Sequence, residues 1–168
     1  FHGSYSLNTD NFLEYKDDTP FSIVSGSFEG VVPITNRFSI LPAVHGRLIF
    51  GKNIPFSKMN FMGGDIMERY LPEQLPFAGT TQVELMDNSL LIGALKLRQR
   101  IGNIHYLTFT GNYALSSHKI KNILREENMF GCAITYGMDS MFGPLEATLN
   151  YTNHSDKVGF YINLGYKF

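Results

Sequence analysis

The chain has 168 residues, 43% of them hydrophobic, and a formal net charge of −1 from 14 basic and 15 acidic residues. A nearly neutral chain exerts no long-range attraction on a polyanion, so we expect no nucleic-acid partner. No apolar run approaches the ~18 residues of a membrane-spanning helix, but strands that cross a membrane alternate in polarity and would escape this criterion. A single cysteine, Cys132, excludes a disulfide within the chain.

Alternation of apolar and polar residues recurs along the chain and predicts an all-β protein with about eight antiparallel strands. The chain opens on a strand-like segment, and we therefore expect it to be part of a longer protein. The predicted strands cover residues 1–7, 21–33, 38–50, 90–101, 105–115, 129–138, 145–151 and 158–168.

The connections between these strands alternate in length. Short turns are predicted at 34–37, 102–104 and 139–144, whereas 8–20, 51–88 and 116–128 are longer, with 152–157 as the exception. A turn of helix is expected around 66–71, and one or two helical turns are permitted within 116–128. Short turns on one rim and long loops on the other are typical of an outer-membrane barrel, and most of the predicted strands supply the ~9–11 tilted residues needed to cross a bilayer.

Period two also assigns the side chains to faces. Val158, Phe160, Ile162, Leu164, Tyr166 and Phe168 share one face of the last predicted strand, and an ending on Tyr166 and Phe168 is typical of a closing barrel strand. On the other face of the sheet we predict one polar, ion-paired set, whose members are Glu29, Arg47, Lys96, Arg98, Arg100 and Glu146. Sequence alone does not decide which face points inward.

Several segments resemble a known family. The loop segments Phe61-Met62-Gly63-Gly64-Asp65, Arg69-Tyr70-Leu71 and Gln74-Leu75-Pro76-Phe77 resemble the long loop in the C-terminal barrel of Bacteroidetes patatin-like phospholipases. Leu97-Arg98-Gln99-Arg100-Ile101, His105-Tyr106-Leu107-Thr108, Gly143-Pro144-Leu145-Glu146 and the last strand are similar to the same family. These barrels belong to the bacterial surface antigen superfamily together with BamA-like assembly factors. The resemblance implies that residues 1–168 are the C-terminal half of an outer-membrane barrel with about sixteen strands.

The resemblance also implies that loop 51–88 folds back into the barrel lumen. Its motif would comprise Gly63, Gly64, Asp65, Arg69 and Tyr70, although the order arginine, glycine, aromatic found in the superfamily is not kept here. A guanidinium inside a barrel needs a carboxylate to offset its desolvation, and we expect Glu29 or Glu146 to be the partner of Arg69.

We find no catalytic constellation and no metal-ligand spacing, and we expect no cofactor. The G-x-S-x-G elbow of a lipid acyl hydrolase is absent, so a phospholipase activity would reside in an upstream domain that this barrel anchors and helps to export. The alternatives are a self-standing BamA-like assembly or translocation barrel and a soluble lipid-binding barrel. The expected partners are outer-membrane lipid, the rest of the barrel, the upstream domain, and the barrel assembly machinery, which would read the last strand.

Overall fold

The computed structural model describes residues 2–8, 21–51, 54, 56–65, 71–80, 83–117, 127–141, 143–155 and 157–165. Twelve strands follow one another along these residues, and they form two sheets. The strands are β1 (His2–Asn8), β2 (Phe21–Glu29), β3 (Val32–Pro33), β4 (Phe38–Phe50), β5 (Asn60–Gly63), β6 (Gln74–Leu75), β7 (Val83–Asp87), β8 (Ser89–Ile101), β9 (His105–Ser117), β10 (Glu127–Ser140), β11 (Gly143–Thr152) and β12 (Lys157–Leu164).

The main sheet is an antiparallel meander in the order β1-β2-β4-β8-β9-β10-β11-β12, and β3 pairs with β4. This order confirms the predicted all-β meander of about eight long strands. Strands β4, β8 and β9 have 13 residues each and β10 has 14, long enough for tilted strands to cross a bilayer. Among the described residues β1 and β12 each pair on one side only, so the sheet is open. The described part of the chain contains no helix that is long and apolar enough to span a membrane.

The strand register assigns each side chain to one of two faces, because residues directly opposite each other in adjacent strands share a face. The register from β2 to β11 confirms that the predicted charged residues lie on one face, which we call the polar face; they are Glu29, Arg47, Lys96, Arg98, Arg100 and Glu146. Buried residues continue this face with Thr110, Asn112, Thr148 and Asn150. The opposite, apolar face is exposed, and it carries Val44, Leu95, Phe109, Ile134 and Leu149.

Strands β5 to β7 form a second, small sheet within the long connection between β4 and β8. A 3-10 turn at Phe56–Lys58 precedes it, and β5 pairs in parallel with β6 and antiparallel with β7. The sequence did not predict this sheet. Its buried side chains pack on the polar face where β8, β9 and β10 approach the long connections, and the resulting apolar cluster contains Met62, Leu75, Phe77, Leu90, Ile92, Ala114 and Met129.

The strand predicted at 21–33 is interrupted. Strand β2 ends at Glu29, and pairing with β4 resumes only at β3, so Gly30 and Val31 lie in a break opposite Pro42. The Gly30 amide donates to the Pro42 carbonyl at 2.9 Å. In an extended strand the N and O atoms of one residue point toward the same neighbouring strand. The nitrogen of Pro42, which carries no hydrogen, therefore faces this break and not a continuous ladder of hydrogen bonds.

Three other predictions fall wholly or partly outside the described residues. Strands β9 and β10 are longer than predicted, which shortens the predicted connection 116–128 to 118–126, a segment outside the described part of the chain. The helical turn expected around 66–71 falls mostly on residues 66–70, which are also outside the described part of the chain. The last strand is β12, and Tyr166 and Phe168 lie beyond the described residues, so the closing-strand signal stays a prediction.

Candidate functional site

The predicted Gly63-Gly64-Asp65 motif lies where the small sheet meets the wall formed by the main sheet. Gly63 ends β5, and Gly64 has a φ of +73°, a left-handed conformation that glycine adopts without a Cβ clash. This turn is held in place because the Gly64 amide donates to Thr80 Oγ1 at 3.1 Å. The next residue, Asp65, forms an ion pair with Lys96 of β8, with 2.8 Å between Oδ1 and Nζ. The motif therefore delivers a carboxylate to the polar face.

Arg47 and Asn60 form a second attachment between loop and wall. Arg47 Nη1 donates to Asn60 Oδ1 at 2.8 Å, and Asn60 Nδ2 donates to the carbonyl oxygens of Arg47 and Asn88, both at 2.9 Å. Asn60 has no exposed surface, and these bonds satisfy its oxygen and both of its amide hydrogens. Arg47 Nη1 also reaches the Lys58 carbonyl at 3.3 Å. A fully paired buried amide fixes the position of β5 on the wall.

Phe77 forms the third attachment, through shape rather than charge. Its ring is completely buried and lies against Gly131 of β10, and a Cβ at Gly131 would come within 2.5 Å of the Phe77 ring and 2.8 Å of Gly79 Cα. The Phe77 amide also donates to the Gly64 carbonyl. The wall thus has a recess at Gly131 that accepts the aromatic side chain of the loop.

The predicted carboxylates have partners on the wall. Glu146 Oε1 accepts a hydrogen bond from Tyr106 Oη at 2.8 Å, and Glu29 Oε1 lies 3.7 Å from His45 Nε2. Arg69 and Tyr70 lie outside the described residues, so the pairing of Arg69 with Glu29 or Glu146 stays a prediction. Within the described chain the ion pair between loop and wall is instead Asp65–Lys96.

A second aromatic and glycine pair lies within the wall near the short turns. The Tyr106 ring of β9 covers Gly137 of β10, where an added Cβ would come within 2.1 Å of the ring. The Arg98 guanidinium lies 5.0 Å from the centroid of the same ring, and Arg98 Nε donates to Thr108 Oγ1 at 3.2 Å. This cluster connects β8 to β11 near the short turns.

Chemically, the junction combines three kinds of contact, which are an ion pair, a buried amide network and an aromatic ring in a recess. Among the described residues no three His, Cys, Asp or Glu side chains are grouped so that they could hold a metal ion. Neither the Asp65–Lys96 contact nor the Asn60–Arg47 contact between loop and wall was predicted. A signal for Asn60 was available, because it is a polar residue in the otherwise apolar segment Met59-Asn60-Phe61-Met62.

The apolar face has the features of a membrane-facing surface. Aromatic side chains lie on this face toward both ends of the strands and flank a band of aliphatic residues. Phe28, Phe38 and Tyr136 lie near the short turns, and Phe50, Tyr113, Phe130 and Tyr151 lie near the long connections. The band between them includes Leu95, Ile134 and Leu149, each about half exposed. A soluble barrel would have the opposite arrangement, with its aliphatic side chains enclosed.

The comparisons with known proteins agree with this arrangement. A search of curated proteins finds no match to the chain. The family profile of the OMP85 superfamily matches residues 3–168, which is nearly the whole sequence. This match and the membrane-facing surface together establish that the chain belongs to the OMP85 superfamily of bacterial outer-membrane β-barrel proteins.

Proposed function

We propose that this chain is a wall segment of an outer-membrane assembly or translocation barrel whose passage is regulated by the loop between β4 and β8. In this proposal the polar face lines the lumen, and the loop is directed into it. The OMP85 superfamily has an assembly or translocation role, which supports the general class. The proposed regulation of passage is inferred from the loop of this chain.

The observation that carries the proposal is the attachment of a folded loop to the polar face, in which one contact, the Asp65–Lys96 ion pair, is of limited strength. Lys96 and Asp65 are both about one quarter exposed, so their ion pair is intermediate between an exposed pair and a buried one. We expect its loss to cost about 1–2 kcal/mol, between the values typical of those two cases. A loss of 1.4 kcal/mol changes an equilibrium about tenfold, which suits a segment that must detach and return.

Conductance of the full-length protein in planar lipid bilayers tests the proposal. Asp65→Asn and Lys96→Gln should each raise the fraction of time spent in the open state about tenfold, because each breaks the ion pair. The exchange of the two charges in the double variant Asp65→Lys, Lys96→Asp should restore closure. Arg100→Gln is the control, since it removes a positive charge from the same strand and the same face near the short turn.

A chemical lock provides the converse experiment. A carbodiimide joins a carboxylate and an amine in direct contact as an amide, and Asp65 Oδ1 and Lys96 Nζ are 2.8 Å apart. The crosslinked protein should stay closed, and mass spectrometry of its peptides should identify the bond. If crosslinked and untreated proteins conduct equally, the loop does not regulate passage.

We also propose, as a second candidate, that the barrel anchors an upstream lipid acyl hydrolase. Its support is the resemblance of the loop segments to patatin-like phospholipases. The segments that carry the resemblance include Met62, Gln74, Leu75 and Phe77, which are buried in the loop. These residues are therefore required for the packing of the loop. A barrel would need the same packing whether or not it anchors a hydrolase. The coding sequence upstream of Phe1 decides: a G-x-S-x-G elbow supports the anchor, and repeated small α/β modules support a BamA-like protein.

The proposed partners follow from the same barrel. Outer-membrane lipid would contact the apolar face, and the remaining strands of the barrel would pair with β1 and β12. The barrel assembly machinery would recognise the last strand through Tyr166 and Phe168. Replacing Phe168 with serine should then reduce insertion into the outer membrane, measured by the amount of heat-modifiable protein in membrane fractions.

A further inference from the structure

A cavity of about 420 Å³ lies between loop residues, namely Asp65, Pro76 and Ala78, and the wall strands β2, β4, β8 and β9. Its volume falls within the range of small-molecule sites. Pro76 and Ala78 of the loop and Ala94 of the wall form part of its apolar lining. Its polar lining consists of Glu29, His45, Asp65, Lys96, Arg98 and Asn112.

The polar groups that remain available in this cavity are mainly hydrogen-bond donors. Asn112 is 4% exposed, and its Nδ2 has no hydrogen-bond partner among the described residues. Arg98 uses Nε for Thr108 and lies over Tyr106, but it forms no salt bridge to a described residue. Lys96 uses one of its three ammonium hydrogens for Asp65, which leaves two to donate. Several donors, two of them charged, therefore line one cavity.

Of the two carboxylates that line the cavity, only Asp65 has a partner within hydrogen-bond distance, and His45 Nδ1 is a further buried atom without a hydrogen-bond partner among the described residues. The Asp65 carboxylate is bound to Lys96, and Glu29 lies at the exposed margin with 69% of its side chain accessible, close to His45. A buried donor without a partner is costly, and a ligand that supplies acceptor oxygens would remove that cost. The donors suit an oxyanion, and the apolar lining suits a short carbon chain.

We propose that this cavity binds a small organic oxyanion, either a carboxylate or a phosphate ester, through Lys96 and Asn112, with Arg98 adding positive charge at its exposed end. Lys96 and Asn112 lie one step apart on the polar face, since Lys96 is opposite Thr110, whereas Arg98 is opposite Thr108 and lies over Tyr106, further toward the short turn. Lys96 supplies the charged donor, and the amide of Asn112 supplies a neutral one. The apolar residues Pro76, Ala78 and Ala94 would contact the organic part.

Calorimetric titration of the full-length protein in detergent tests this site. The probes are glycerol phosphate, inorganic phosphate and acetate, which separate phosphate ester, free phosphate and carboxylate. We expect saturable binding of at least one probe, tighter for glycerol phosphate than for inorganic phosphate if the apolar lining contributes. Arg98→Gln should weaken binding about two- to fivefold, the effect of an exposed charge, because it removes a positive charge from the exposed end of the cavity.

Two further variants make the test specific. Asn112→Asp keeps the size of the side chain but replaces a donor with a negative charge, and it should abolish binding. Arg100→Gln removes the same charge two residues further along β8, outside the cavity, and should bind like the unaltered protein. The unfolding temperature of each variant, measured by heat-modifiable migration, checks that it is folded. Absence of saturable binding for all three probes, or equal losses in the variants of Arg98 and Arg100, would overturn the proposal.

Discussion

Replacement of Gly131 with alanine tests whether the recess in the wall holds the loop. The new methyl group would lie 2.5 Å from Phe77 Cε1 and 2.8 Å from Gly79 Cα, closer than carbon atoms approach without displacement. Neither neighbour can yield easily, because the Phe77 ring is completely buried and the second contact is with backbone. Overpacking of this kind costs about 1–3 kcal/mol. The attached loop should therefore become about 5- to 150-fold less favoured relative to the detached loop.

Two measurements on the full-length protein should detect this change. In planar bilayers Gly131→Ala should raise the open fraction, and in detergent it should speed limited proteolysis within the loop. The matched control is Gly111→Ala in β9, whose added methyl group would meet no atom within 4 Å. Because both variants replace glycine with alanine, both also lower the conformational entropy of the unfolded chain, an effect of about 0.4–1 kcal/mol that the control takes into account. If the Gly131 and Gly111 variants behave alike in both assays, the recess does not hold the loop.

A double-mutant cycle identifies the contact responsible. Phe77→Ala alone should also release the loop, because a buried phenylalanine contributes about 3–5 kcal/mol by truncation. With the ring removed, Gly131→Ala should cost much less than in the unaltered protein, although its contact with Gly79 Cα leaves a residual effect. Strictly additive effects would show that Gly131 and Phe77 act independently.

Three further predictions concern the membrane surface, the wall and the second attachment. Ile134→Lys, near the middle of β10 on the apolar face, should destabilise the protein in lipid by about 2–4 kcal/mol, whereas Met141→Lys in the short turn should cost about 0–1; equal costs in unfolding titrations would contradict the assigned faces. Gly137→Ala should displace the Tyr106 ring and lower the temperature of heat modification, by an overpacking cost of about 1–3 kcal/mol. Asn60→Ala should leave buried groups unpaired and increase proteolysis of the loop, at a cost of about 1–3 kcal/mol, and an unchanged cleavage rate would argue against this attachment.

The long strands and their faces were predictable because the alternation is sustained over ten or more residues in most of them. Each strand must be apolar on one side and polar on the other over its whole length, so a single deviation such as Pro42 does not obscure the pattern. The break at Gly30 was not predictable, because the alternation of side chains before it continues without a shift after it. It follows from the pairing of β2 and β3 with β4, which is a tertiary property.

The small sheet could not be predicted from periodicity. Its strands have two to five residues, and β5 pairs in parallel with β6, a partner brought alongside only by the course of the loop. The loop motif was recognised by resemblance, and Gly64 and Asp65 lie at the junction between loop and wall. The Asp65–Lys96 pair was not expected, although Lys96 had been assigned to the polar face. The alternation of a strand assigns a residue to a face of the sheet, but it does not identify the loop residue that will contact it.

The glycines of the main sheet show why the side of the strand matters for function. On the polar face Gly131 and Gly137 are each covered by an aromatic ring, from Phe77 and Tyr106, and a methyl group at either position would clash. On the apolar face Gly93 and Gly111 meet nothing within 4 Å. The sequence pattern is the same for both pairs, since each is a glycine in an alternating strand. The polar-face pair creates space for aromatic side chains, one from the wall itself and one from the loop. The wall thus binds the folded loop through shape at Gly131, next to the apolar cluster that Leu90, Ile92, Ala114 and Met129 form on the same face.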